Sequence, residues 1–286
     1  MRGKVFWSLG LLASLACLQA QVLYQTSFEN PPFTLGSIAG QDGWEQYHIG
    51  VPNLGRISNE QPRSGTQSLK ITPQNGGANS WWWKTTPHDT STSPNKILDI
   101  RWDMYLVSST RQGNYGVDVY SDTLERVCAV QVVSTNEVRL IAFANGTSQQ
   151  VVSTGVFVAR DRWNRFRLII NYNTGTFEVR VNGQPVGNGQ INSLAGAVFG
   201  DADVWHFNVG GDSNDAAFYD NLLIKAVAQL EQEEGDVTGD GCVDDSDLLT
   251  VLFAFGTNDH DADINEDGVV DDADLLIVLF AFGNGC

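Results

Sequence analysis

The sequence predicts a mainly β protein, an antiparallel β-sandwich (jelly roll), with a small α-helical module at its C-terminal end. Three observations carry this. Between residues 21 and 227, ten short runs rich in Val, Ile, Thr and aromatic residues alternate with Gly- and Asn-rich turns. Within these runs apolar and polar residues alternate, as on strands with one buried face. Beyond residue 235 a 21-residue segment occurs twice at a constant offset of 27, and each copy ends in an apolar stretch of helical length.

Residues 1–20 read as a secretory leader. Arg2 and Lys4 give a positive start, Val5 to Cys17 an apolar core, and cleavage after Ala20 leaves Gln21 first. Cys17 offers a lipoprotein alternative, although Ser14-Leu15-Ala16 before it is a poor lipobox. No later segment has the roughly 20 apolar residues of a spanning helix. The expectation is a secreted bacterial protein, extracellular or attached to a cell surface.

The sandwich then builds in order. VLYQTSF and QSLKIT open it, and ILDIRWDMYLV, YGVDVYS, VCAVQVV and VRLIAFA follow. WNRFRLIINY and TFEVRVNG flank the turn NYNTGT, and VWHFNVGG and AFYDNLLIKA close the domain. Alternation is clearest in Phe166-Arg167-Leu168-Ile169-Ile170 and Phe177-Glu178-Val179-Arg180-Val181. Strands at this spacing pack as two antiparallel sheets over residues 21–227. Cys128, inside VCAVQVV, reads as a buried strand thiol. Residues 228–235 form a short polar linker to the module at 236–286.

Charge is concentrated in that module. From Glu231 onward there are 16 of the 34 acidic residues and no Lys or Arg, leaving 18 acids against 17 bases before it. Such a cluster attracts divalent cations and repels nucleic acid.

DVTGDGCVDDSDLLTVLFAFG and DINEDGVVDDADLLIVLFAFG share 15 of 21 residues. Oxygen-bearing side chains fall at positions 1, 3, 5, 9 and 12 with Gly at 6, the spacing of an EF-hand calcium loop. The first loop supplies Asp236, Thr238, Asp240, the Cys242 carbonyl, Asp244 and Asp247, turning at Gly241. The second supplies Asp263, Asn265, Asp267, the Val269 carbonyl, Asp271 and Asp274, turning at Gly268. Two Ca²⁺ ions are therefore expected, and in so small a module they carry much of the folding free energy. Pairing of the repeats would bring Cys286 near Cys242, and export permits a Cys242–Cys286 disulfide. The helices read from Leu248 to Phe255 and Leu275 to Phe282 are apolar almost all round. Two outcomes are open for their Phe residues: burial inside the module, or cover by a partner.

Asp at the twelfth position and one helix after each loop resemble the type I dockerin domain over about 236–286. The resemblance implies docking to a cohesin-like or other cell-surface protein. Thr238 departs from the usual Asn, and Leu252-Phe253 and Leu279-Phe280 stand where many dockerins carry a basic pair. Over 21–227, the pair WNRFRLIINYNTGTFEVRVNG and AFYDNLLIKA resembles the concanavalin A-like lectin/glucanase superfamily, including laminin-G-like domains. That resemblance implies that the YDN strand lies beside the first strand, Leu23–Phe28. It covers lectins, binding modules, glycosidases and lyases, so it speaks to fold rather than activity.

For carbohydrate the candidates are Trp81 and Trp83, which share one face of a strand while Trp82 takes the other. Burial within the sandwich is the competing reading for each. Trp44, Tyr47 and His48, in a loop-like segment, are weaker candidates, and Trp163 and Trp205 read as core or strand-start residues. Glycosidases need two carboxylates about the scissile bond. Laminarinase-like members of the superfamily place them as Glu-x-Asp-x-x-Glu, and Glu29, Glu45, Glu60, Glu125, Glu137 and Glu178 form no such string. Asp201 and Asp203 could face one side of a strand but read as turn caps. A third calcium, joining the ends of the sandwich near Glu29 and Asp220, is a further analogy. Polysaccharide binding is thus expected ahead of polysaccharide degradation, with a purely structural surface role third.

Overall fold

A computed structural model describes residues 20–50, 54–74, 79–207, 214–229, 235–238, 242–259, 262–265 and 267–284. The leader, Asp240, Gly241 and Cys286 lie outside the described residues.

The strands in chain order are β1 (Gln21–Thr26), β2 (Gly36–Ser37), β3 (Glu45–His48), β4 (Leu54–Ser58), β5 (Ser68–Thr72), β6 (Ser80–Trp83), β7 (His88–Asp89), β8 (Ile97–Leu106) and β9 (Asn114–Ser121). They continue as β10 (Arg126–Val132), β11 (Glu137–Ala144), β12 (Ser148–Phe157), β13 (Trp163–Asn171), β14 (Thr176–Val181), β15 (Gln184–Gln190), β16 (Val198–Phe207) and β17 (Ala217–Val227). One antiparallel sheet runs β15-β14-β13-β8-β17-β5-β4-β2, with β1 also on β17. The other runs β12-β11-β10-β9-β16-β6-β3, with β7 on β16. The expected β-sandwich is what forms. The closing strand does lie beside the first, with Tyr24 opposite Ile224.

One core fills the space between the sheets, because each strand turns its alternate apolar residues inward. From the first sheet come Leu98, Ile100, Trp102, Phe166, Leu168 and Ile170; the second adds Val117, Val119, Cys128, Val130 and Leu140. Trp102 and Phe166, opposite each other on β8 and β13, stack at 5.2 Å between ring centres. Cys128 is a free, buried thiol, as the sequence suggested. Trp44–His48 corrects an expectation. Trp44 is buried, and Glu45–His48 is strand β3 rather than loop, because its backbone adds to the edge of β6.

In the C-terminal module, helices α1 (Asp245–Ala254) and α2 (Asp272–Ala281) start three residues before the apolar stretch. The reason is capping. The Asp244 carboxylate accepts from Ser246 N while Asp247 accepts from Asp244 N; Asp271, Ala273 and Asp274 repeat the arrangement. Val243, Val251, Ala262, Val270, Val278 and Ala281 form the module's small core. Phe253 and Phe280 stay outside it, 84% and 85% exposed. That settles against burial of every Phe.

The module rests on the outer face of the first sheet. Arg165 of β13, buried, lies opposite Asp103 of β8, and its guanidinium forms an ion pair with Asp263 of the second repeat. Arg63 Nη2 donates to the Gly268 carbonyl at 3.0 Å, and Asn258 Nδ2 donates to the Arg63 carbonyl at 2.9 Å. A groove of about 810 Å³ runs between β1, β17 and α1.

Candidate functional site

On the opposite side of the sandwich, the outer face of the second sheet gathers aromatic rings and carboxylates. Period-two alternation sends Trp82 into the core, where its indole lies so close over Gly55 that a Cβ there would fall 2.3 Å from Nε1. Trp81 and Trp83 therefore point outward together, as the sequence required. Tyr47 stands opposite Trp81 across β3 and β6, with ring centres 5.9 Å apart and planes inclined by 33°. Tyr47 is 58% exposed. Trp205 of β16 pairs with Trp81 on the other flank and lies over Gly116, its indole filling the space a side chain there would need.

Beside the rings stand three aspartates. Asp203 of β16 is directly opposite Asp118 of β9, and Asp201 is opposite Tyr120. This corrects the turn-cap reading of Asp201 and Asp203: both lie within β16, where a register shift between Phe199 and Asp201 turns them to the outer face. All three carboxylates are buried. Arg126 Nη2 donates to Asp118 Oδ2 at 2.7 Å and to the Tyr120 hydroxyl at 3.1 Å. Burial pushes the Asp201 carboxyl up to about 6, and the exposed Glu45 on β3 adds to the effect. Asp203 is held well above the usual carboxylate range by burial and by the charges of Asp201 and Asp118. Asp118 is also raised by burial, with Arg126 opposing.

Beneath the face the polar groups answer one another: the Trp81 indole lies within hydrogen-bonding reach of Asp118, and Asp201 shares a hydrogen bond with Asp203. Asp118 Oδ1, Asp203 Oδ1 and the indole nitrogens of Trp81 and Trp205 are buried. What the face presents outward is ring surface flanked by carboxylates, which suits a ring carrying hydroxyl groups. Sequence reasoning found Trp81 and Trp83, placed Tyr47 among weaker candidates, and missed Asp118 and Trp205.

In the second repeat, the loop side chains have the chemistry that a hard cation takes, but Asp263 is already paired with the Arg165 guanidinium and accepts from Gly268 N at 2.8 Å. Asp263 and Asp274 are buried, Gly268 takes a positive φ of 102°, and the Asp267 amide donates to Asp263 and Asn265 at 3.1 and 2.8 Å. Asp274 accepts from Asn265 N and Asp271 N, so position 12 folds back over positions 3 and 9. In the first, Asp247 accepts likewise from Thr238 N and Asp244 N, both at 2.8 Å. Among the described residues, though, no three His, Cys, Asp or Glu groups converge tightly enough to hold an ion unaided. The Cys242 and Val269 carbonyls would have to complete each shell. Cys242 is in a disulfide. The hydrogen bond from Val243 N to Asn284 O, 2.9 Å, brings the chain end beside it.

The third calcium fits less well. Glu29 accepts from Thr66 N, Thr66 Oγ1 and Gln67 N, and Asp220 from Arg63 N, Ser64 N and Asn221 N. Both carboxylates pin the 63–67 loop, but with oxygens already engaged by protein donors.

No family model matches this chain, and no curated protein matches it in sequence. Solved structures match in shape. A carbohydrate esterase from the Shiga toxin-encoding bacteriophage phi24B superposes with a TM-score of 0.50 at 10% identity, over 73% of this chain and 99% of that one. A sialidase matches with a TM-score of 0.48 at 10% identity over 71% of this chain, which spans only 18% of the sialidase. The binding domain of botulinum neurotoxin DC, solved in complex with SialylT, matches with a TM-score of 0.47 at 10% identity, over 73% and 48% of the two chains. At 10% identity the likeness to the esterase speaks to the fold alone.

Proposed function

We propose that this protein binds extracellular polysaccharide on the outer face of its second sheet, and that its two C-terminal repeats fold around calcium and dock a cohesin-like or other cell-surface protein. The observation that carries the first half is the outward platform of Tyr47, Trp81 and Trp83 beside Asp201 and Asp203. Sugar rings stack on aromatic faces while carboxylates accept their hydroxyls. A carbohydrate esterase among proteins of the same fold agrees with this reading. For the second half, the support is the loop spacing together with Phe253 and Phe280, which stand exposed at matching places on two helices.

The deciding experiment is a pull-down of the mature chain on a panel of insoluble polysaccharides. Retention by at least one, weakened in a Tyr47→Ala/Trp81→Ala variant that melts normally, supports the reading. Equal retention of that variant, or none by the wild type, rejects it. For the tail, calorimetry should show two calcium sites with a gain in helical circular dichroism. Failure to bind calcium at about millimolar concentration, weak even for extracellular modules, sinks that half.

One observation favours catalysis as a second reading: Asp118, ion-paired to Arg126, faces Asp203, and burial raises both carboxyls, Asp203 well above the usual range. Two facing carboxylates in unequal surroundings suit an acid and its companion. Sugar release from β-glucans that Asp203→Asn abolishes would establish it.

A further inference from the structure

The charge on the glycan face is mostly negative. Glu45, Asp118, Asp201 and Asp203 share it, and the cations on the same side are already engaged: Arg126 with Asp118 at 2.7 Å, and Arg139 of β11 with Glu137 at 2.8 Å. Glu45, exposed, stands opposite Trp83 of the platform, and Asp201 lies near enough to feel its charge. We propose that this face selects glycans without carboxylate groups, taking neutral, hydroxyl-rich chains and refusing those built from uronic or sialic acids. The inference rests on the polysaccharide reading above and narrows it.

A hydroxyl can donate to a carboxylate and carries no charge, whereas an ionised carboxylate only accepts and would lie against carboxylates. Like charges a few ångströms apart at a partly buried surface repel by enough to change affinity roughly tenfold or more. Arg126 offsets Asp118, and Asp203 is held well above the usual carboxylate range, so Asp201 and Glu45 set the sign that an approaching chain meets.

Matched hexasaccharides test this, each β-glucan linkage supplied neutral and oxidised to the carboxylate at carbon 6, titrated into the mature chain at low salt and pH 7.5. The neutral member should bind at least about tenfold tighter, and the gap should shrink in roughly 1 M salt, where screening is complete within ~3 Å. Glu45→Gln/Asp201→Asn should bring the pair within about threefold. Asp201→Asn alone serves if the double variant does not fold, with a partial narrowing. Equal or tighter binding of the oxidised member by the wild type overturns the selection, as does a gap that no Asp variant changes. If neither member of any pair binds, the polysaccharide reading itself has failed, and the selection with it.

Discussion

Trp81, Trp82 and Trp83 show how much one residue's parity decides. Trp82 drops into the core over Gly55, and its neighbours are thereby committed to the outside. Gly55→Ala should cost about 1–3 kcal/mol in chemical denaturation, since a methyl must displace a packed indole. Period two made this legible. The pairing of Asp203 with Asp118 was not, because the two are 85 residues apart and a register shift before Asp201 decides which way both β16 aspartates point. Asp201 makes a pH prediction. A carboxyl whose pKa rises on folding, from 3.8 to about 6, destabilises the fold when ionised. The cost is absent below pH 3.8, grows through the interval, and is full above about 6. Asp201→Asn should therefore stabilise the protein at pH 7.5 by on the order of 2 kcal/mol and leave it unchanged near pH 4, as denaturant titrations at the two pH values would show.

At the level of elements, helices α1 and α2 owe their start to the same aspartates that the loop pattern assigns to calcium. Asp274 accepts from two backbone amides, so Asp274→Ala should lower the module's stability by about 1–2 kcal/mol even in a chelator, read by helical circular dichroism. With calcium present the loss should be larger, because a twelfth-position ligand goes too. The repeat made the loops readable, and the Asp at each cap was visible three residues ahead of the apolar run. Helix facing was not, since residues apolar all round carry no phase information. Only packing separates Val251 and Val278, buried, from Phe253 and Phe280, exposed.

For the whole molecule, composition suggested a sandwich and a tethered tail, and the strand content bears out the first. The seating of the tail could not be read, because it depends on Arg63, Asp103 and Arg165, which look like ordinary strand and loop charges until the first sheet lines them up beneath the second repeat. Arg165→Met leaves Asp263 without its cation and Asp103 with Arg63 alone. Loss of about 3–5 kcal/mol is expected for breaking such a buried pair, seen as a lower melting temperature and a larger hydrodynamic radius.

That seating has a mechanical consequence. The aromatic platform lies on one sheet and the second repeat is fastened to the back of the other. On the proposed reading, a pull between a bound polymer and an anchor would therefore run through the thickness of the sandwich. It would enter at β3 and β6, cross the packed core and leave at β13 and β8. Such a load would bear on side-chain packing between the sheets before it reached their hydrogen-bonded ladders, as on a rivet with two heads rather than a bead on a string.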